Sequence, residues 1–390
     1  MSVKHRCQSA LRIVALVVAG TAAGGTSFAQ TLDATDIPTA ATSAQQMTEA
    51  ARAFVASLRP AQRAAAVYAF TGANRTNWSN TPVYVHPRPG LRIRELTLAQ
   101  RQAAHALLRA SLSSQGYQKI AGVIRLDSIH GERELAALDQ HGPAESDRPF
   151  VLQEAESFGS GSYGIAIFGN PGSDPNWGWI IQGHHLGASF TVAGDRATFT
   201  PLFLGATPLV LEDGIHAGWS ALSHELTRGF ELMAALTPAQ RAQAREAGEV
   251  PGDVIYGVGH KNNLPMHSGL RSADMTAAQR RLLRALVEEY VRNADFDVAD
   301  AQLQAIGSAG WDQLWFTWRG QADDPTAPLY YRVHGARIFI ELSQRPNHIH
   351  TVVRDPYNDY GEYWLDQRLT EEHTANDRFD AAVRAYQDQR

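Results

Sequence analysis

Apolar residues recur at helical spacing in two well-separated parts of the chain, at Ala103, Leu107, Leu108 and Leu112 and again at Leu282, Leu286, Val287 and Tyr290. That rhythm of threes and fours gives each helix one apolar face. A short phrase marks where such helices start. Leu96-Thr97-Leu98-Ala99-Gln100-Arg101, Leu236-Thr237-Pro238-Ala239-Gln240-Arg241 and Met275-Thr276-Ala277-Ala278-Gln279-Arg280 each put Thr at the cap and an apolar residue before it. With Gln three residues after the Thr, this is a capping box with a hydrophobic staple. A fourth copy, Leu58-Arg59-Pro60-Ala61-Gln62-Arg63, lacks the Thr but, like the second, keeps Pro at the first helical position, where its missing N–H costs nothing. The copies fall in two pairs about 38–39 residues apart. Helical pairs or a worn duplication would give that spacing; independent, well-capped helix starts are the simpler expectation.

Shorter apolar runs between turn residues predict strands at 163–168, 177–191, around 197–203, and at 311–318, 330–333, 337–342 and 347–354. Arg345-Pro346-Asn347 supplies the turn between the last two. Residues 119–133 are ambiguous, although 122–126 could continue a helix. Runs of helices followed by hairpin-like strands predict an α+β fold, with helical N-terminal and middle segments packed on a mainly antiparallel sheet.

That sheet carries the chemistry. Residues 176–190 read as one strand holding two adjacent histidines, His184 and His185. Strand neighbours face opposite ways, so His184 should side with Leu186, Ala188 and Phe190, and His185 with Gly187 and Ser189. Only a bulge at Gly183 or Gly187 could bring both rings to one site. Otherwise they are core histidines, one hydrogen-bonded inside and one wet. Far downstream, His348 and His350 are two apart and share a strand face with Val352 and Arg354, which suits two ligands of one metal ion. A third ligand from His184 or His185 would complete the three-histidine set, with one open position, of catalytic zinc. With no thiolate, copper, iron or nickel stay open as well.

Around these, Arg354 could bind a substrate carboxylate or phosphate, or fix Asp359 in a salt bridge. Asp359, with Glu362 behind it, is the candidate general base or support for a ligand. Trp177 and Trp179 are candidates to wall a substrate cleft. Other motifs fall short. His224-Glu225 begins like the zincin signature, but Arg228 stands where its second histidine belongs, and no Gly-x-Ser-x-Gly elbow offers a serine nucleophile. His267 and His334 read as loop histidines.

Trp177-Gly178-Trp179 followed by Gly183-His184-His185-Leu186, with Asn347-His348-Ile349-His350-Thr351-Val352-Val353-Arg354-Asp355-Pro356 and Asn358-Asp359-Tyr360-Gly361, resembles the bacterial family known as domain of unknown function 3500. The likeness covers most of the chain after about Phe54. It implies no activity, so function rests on the residues.

At 390 residues and 44% hydrophobic, the chain can bury a large core. A net charge of −5 and a pI of about 6.3 give no basic field for nucleic acid. Lys4, His5 and Arg6, an apolar run over 11–23 and Ser27-Phe28-Ala29 predict a signal peptide over 1–29 and a periplasmic or secreted protein. The run is too short to span a bilayer, and the one cysteine, Cys7, lies within the signal peptide. Residues 30–45 read as a flexible linker and 46–390 as a single large domain. The expected function is an exported metal-dependent hydrolase acting on a small molecule, with zinc the first choice of divalent ion. A histidine-bound copper or iron oxidoreductase and a non-catalytic ligand-binding protein are the alternatives.

Overall fold

The capping phrases set the helical layer. The computed structural model describes residues 38–141, 152, 155–265 and 267–371, so the expected leader lies outside the described residues. The helices are α1 (Ala41–Ser57), α2 (Pro60–Ala66), α3 (Leu98–Ser111), α4 (Ser114–His141), α5 (Ser223–Ala235), α6 (Pro238–Ala244), α7 (Ala277–Val291) and α8 (Phe296–Ala309). The ambiguous stretch 119–133 falls inside α4. Ala44, Met47, Ala51 and Phe54 of α1 are buried, so residues 41–45, expected in the linker, already belong to the packed domain. Thr97, Thr237 and Thr276 each accept the N–H of the Gln three residues on at 3.3 Å.

Those glutamines also tie the helix starts together. Gln62 and Gln100 exchange amide hydrogen bonds at 2.8 and 3.1 Å, and Gln240 and Gln279 do so at 2.8 and 3.0 Å. The copies of the phrase are therefore docked in pairs, and the expectation of independent helix starts is corrected.

Twelve strands form one mixed sheet: β1 (Val67–Tyr68), β2 (Leu91–Arg92), β3 (Gly164–Phe168), β4 (Asn176–Gln182), β5 (Leu186–Ala193), β6 (Arg196–Thr198), β7 (Leu202–Ala206), β8 (Leu270–Arg271), β9 (Trp315–Gly320), β10 (Leu329–Gly335), β11 (Ile338–Arg345) and β12 (His348–Arg354). The order is β1-β3-β4-β5-β7-β12-β11-β10-β9-β8, with β2 on β3 and β6 on β5. The β1–β3 pair is parallel. In each half a docked pair of capped helices and a two-residue strand (β2 or β8) precede four antiparallel strands of the central ladder, β3-β4-β5-β7 with β6 appended to β5 in one and β9-β10-β11-β12 in the other, and the halves meet at β7–β12. A duplicated unit would produce this repeated order. The fold is α+β, as its pattern of elements predicts.

Two predicted strands divide. Residues 177–191 are a hairpin: Gly183 donates its N–H to the Leu186 carbonyl at 2.8 Å, so His184 and His185 form the turn and the strand alternation expected of them does not apply. Residues 197–203 split between β6 and β7. Trp177, Trp179, Ile181, Ile349 and Val353 belong to the core cluster that the helices share. Ile180, Phe203 and Val352 lie in a second cluster with Trp78, Val254, Val258 and Tyr360, contributed by loops. Among the described residues no helix is long and apolar enough to cross a membrane.

Candidate metal centre

The β4–β5 turn, β7 and the start of β12 converge at one end of the central ladder. The turn is clamped from below by Arg88, which donates to the Gly183 carbonyl at 2.5 Å and to the Thr81 carbonyl. Gly205 of β7 lies opposite His350 in the ladder and donates its N–H to the His185 carbonyl at 2.8 Å. A Cβ on Gly205 would fall 2.6 Å from Cδ2 of His350 and 2.7 Å from Cδ2 of His185. Only a residue without a side chain lets the two rings lie where they do.

Two carboxylates fix the rings. Nδ1 of His185 bonds Oδ1 of Asp127 on α4, and the other oxygen of Asp127 accepts the Tyr163 hydroxyl. Nδ1 of His350 lies 2.5 Å from Oδ1 of Asp253, whose second oxygen accepts from Nδ2 of Asn80 at 2.8 Å. The loop bearing Asp253 is itself held. Glu341 accepts the N–H groups of Ile255 and Tyr256 at 3.0 and 2.8 Å, and Arg354 donates to the carbonyls of Tyr256 and Gly257 at 3.2 and 2.6 Å.

With both Nδ1 atoms engaged, the Nε2 atoms turn inward. His185 Nε2 is 3.2 Å from His348 Nε2, which is 2.8 Å from His350 Nε2. Three nitrogens around a tetrahedral ion at about 2.0–2.1 Å would stand about 3.3 Å apart. The two contacts through His348 are about 0.1 and 0.5 Å shorter than that, all three nitrogens lie within 4.8 Å of one another, and a carboxylate behind the far nitrogen is the usual support of a metal-bound histidine. These buried groups could hold a metal ion.

Charge agrees with geometry. Burial lowers the proton affinity of His350 in spite of Asp253 beside it, with His185 adding to the lowering. Burial, with His350 and His185 as neighbours, pushes His348 far down. Burial raises the Asp253 carboxyl, but His350 and the Val254 N–H more than reverse this and leave it below its ordinary value. His348 and His350 are thus neutral imidazoles, His350 backed by a carboxylate, the protonation state that ligation needs.

The other expected residues are placed as follows. His184 stacks on His185, ring centroids 4.1 Å apart, and its buried Nδ1 has no partner. It forms a second possible ligand group with Asp127 and His185. Trp177 and Trp179 are each 1% exposed in the core that the helices share. Trp177 bonds Thr48 of α1 at 3.1 Å and Trp179 stacks on Phe190, so neither walls a cleft beside the histidines. Arg354 is fully buried and bonds Asp359 at 2.8 Å and Glu371 at 3.0 and 3.1 Å. It takes the salt-bridge option rather than substrate binding. It lies four residues, about 13 Å, along the strand from His350. Asp359 is pushed up to about 6 by burial, against the pull of Arg354, but it stays in that ion pair and away from the cluster. His334 is no loop residue: it is buried in β10, 1% exposed.

Sequence reasoning missed Asp127, Asp253, Gly205 and His130. His130 lies three residues after Asp127, on the same face of α4, and packs edge-on to Phe158 with centroids 4.5 Å apart.

A large α+β domain with a carboxylate-backed cluster of histidines at one end of its sheet defines a class of protein with the groundwork for metal chemistry. The chain belongs to the family described as "Protein of unknown function (DUF3500)", matched over residues 40–362. No curated protein and no solved structure matches it.

Proposed function

We propose that the protein is an exported metal-dependent hydrolase in which Nε2 atoms of His185, His348 and His350 hold one divalent ion, zinc first. The convergence of those three nitrogens, two of them backed by Asp127 and Asp253, carries the proposal. An ion held there would supply Lewis acidity and a water acidified toward neutrality. The chain's part is to keep three nitrogens in place and leave the fourth position to water or substrate. The rim faces solvent: His348 is partly exposed and the Asp253 side chain is 34% exposed. Asp253 stands at that rim, but His350, Asn80 and the Val254 N–H occupy its oxygens, so its part is to orient His350.

Metal content of untagged protein purified from the periplasm or medium tests this. About one equivalent of zinc, lost on His350→Ala, is expected. Copper or iron at that stoichiometry would move the chemistry to redox work. Protein that stays metal-free after zinc is supplied contradicts the proposal.

A further inference from the structure

At the rim of the cluster one cation is held by a histidine rather than by a carboxylate. Arg345 ends β11, is exposed, and its Nη2 lies 3.2 Å from Nδ1 of His348. The turn beside it is fixed: Asn347, at φ 56, takes the Leu209 N–H on its carbonyl at 3.1 Å and on its side-chain oxygen at 2.9 Å. Asp253 is near but engaged. Its oxygens serve His350, Asn80 and the Val254 N–H.

A guanidinium can only donate. In its contact with Arg345, Nδ1 of His348 is therefore bare, and the ring's proton is on Nε2, from which it donates to Nε2 of His350 at 2.8 Å. Metal ligation through Nε2 reverses this, because the proton of the neutral ring must then be on Nδ1. Two N–H groups would face each other, so a loaded site must release Arg345. The released side chain is flexible, tethered to a fixed turn, and one imidazole's width from the ion.

We propose that Arg345 is a substrate-positioning residue, freed by metal binding to hold a carboxylate or phosphate of the substrate beside the ion. The planar fork of a guanidinium matches either anion. This rests on the metal reading of His185, His348 and His350. It gives Arg345 the anion-binding task that buried Arg354 cannot perform.

Calorimetric titration of the zinc-loaded full chain with acetate and with methylphosphonate, and with acetamide as a neutral control, tests the proposal in wild type, Arg345→Gln and Arg345→Lys. At least one anion should bind wild type, lose about tenfold or more in Arg345→Gln and recover partly in Arg345→Lys. Zinc affinity, read by chelator competition, should be unchanged or tighter in Arg345→Gln, because a contact that competes with loading has gone. Arg345 merely propping His348 would instead show as weaker zinc binding, which overturns the proposal. Anion binding equal in wild type and Arg345→Gln overturns it while leaving the metal site standing. Wild type that takes up no zinc overturns both.

Discussion

Alanine at position 205 probes the metal centre without removing any ligand. Its Cβ would stand 2.6 Å from Cδ2 of His350 and 2.7 Å from Cδ2 of His185, where carbon atoms rest at about 3.5–4.0 Å. Each ring must therefore give way by about 0.8–1.4 Å, well beyond the ±0.2 Å or so that a metal–ligand distance tolerates. Overpacking of this kind costs about 1–3 kcal/mol. If the rings relieve it by moving apart, the same energy must be repaid when they close on an ion, which lowers affinity about 5–150-fold. Gly252→Ala is the control, since nothing lies within 4 Å of its added Cβ. Chelator competition for zinc, with melting curves on the same samples, should show weakened binding in Gly205→Ala and none in Gly252→Ala. Wild-type affinity and melting in Gly205→Ala would refute the placement of the two rings.

Asp127→Asn and Asp253→Asn should each fold and lose about 10–100-fold in zinc affinity; unchanged affinity in both would mean that the carboxylates do not support ligands. His348→Ala should abolish zinc binding, while His184→Ala should keep it and lose about 0.5–3 kcal/mol of stability through its missing stack, as denaturant titration would show. Arg354→Met strands Asp359 and Glu371 as buried charges and should cost about 3–5 kcal/mol; a variant that melts like wild type would make Arg354 a substrate contact again. For pH, the folded values of His348 and His350 lie below the ordinary histidine value. Zinc affinity should therefore hold level from about pH 7.5 to below about 6.5 and fall only in more acid solution. The unfolded chain takes up these protons first, so the cluster's contribution to stability is complete above about pH 6.5 and declines below it. A steep loss of affinity already above pH 6.5 would contradict the neutral, desolvated state of the rings.

Local rules carried the reading wherever partners were close in sequence. The Thr–Gln caps and the i, i+2 relation of His348 and His350 are backbone geometry, and both could be placed from residue spacing. The β4–β5 turn could not, because Gly183-His184-His185-Leu186 lacks the Asn-Gly or Asp-Gly signal of a tight hairpin and sits in a continuous apolar run. The two supporting acids were hidden for a different reason. Asp127 lies in a stretch with weak helical rhythm, Asp253 lies in a Gly-containing loop, and each reaches its histidine over 58 or 97 residues. Arg354 and the two tryptophans misled because charge and aromatic size suit a site and a core equally, and burial alone separates the two.

X-ray diffraction at the zinc edge from crystals of the zinc-supplied protein tests the central claim directly. An anomalous peak should appear about 2.0–2.1 Å from Nε2 of His185, His348 and His350, with Arg345 withdrawn from Nδ1 of His348. A peak bound elsewhere, or three unligated imidazoles still hydrogen-bonded to one another at saturating zinc, would contradict it.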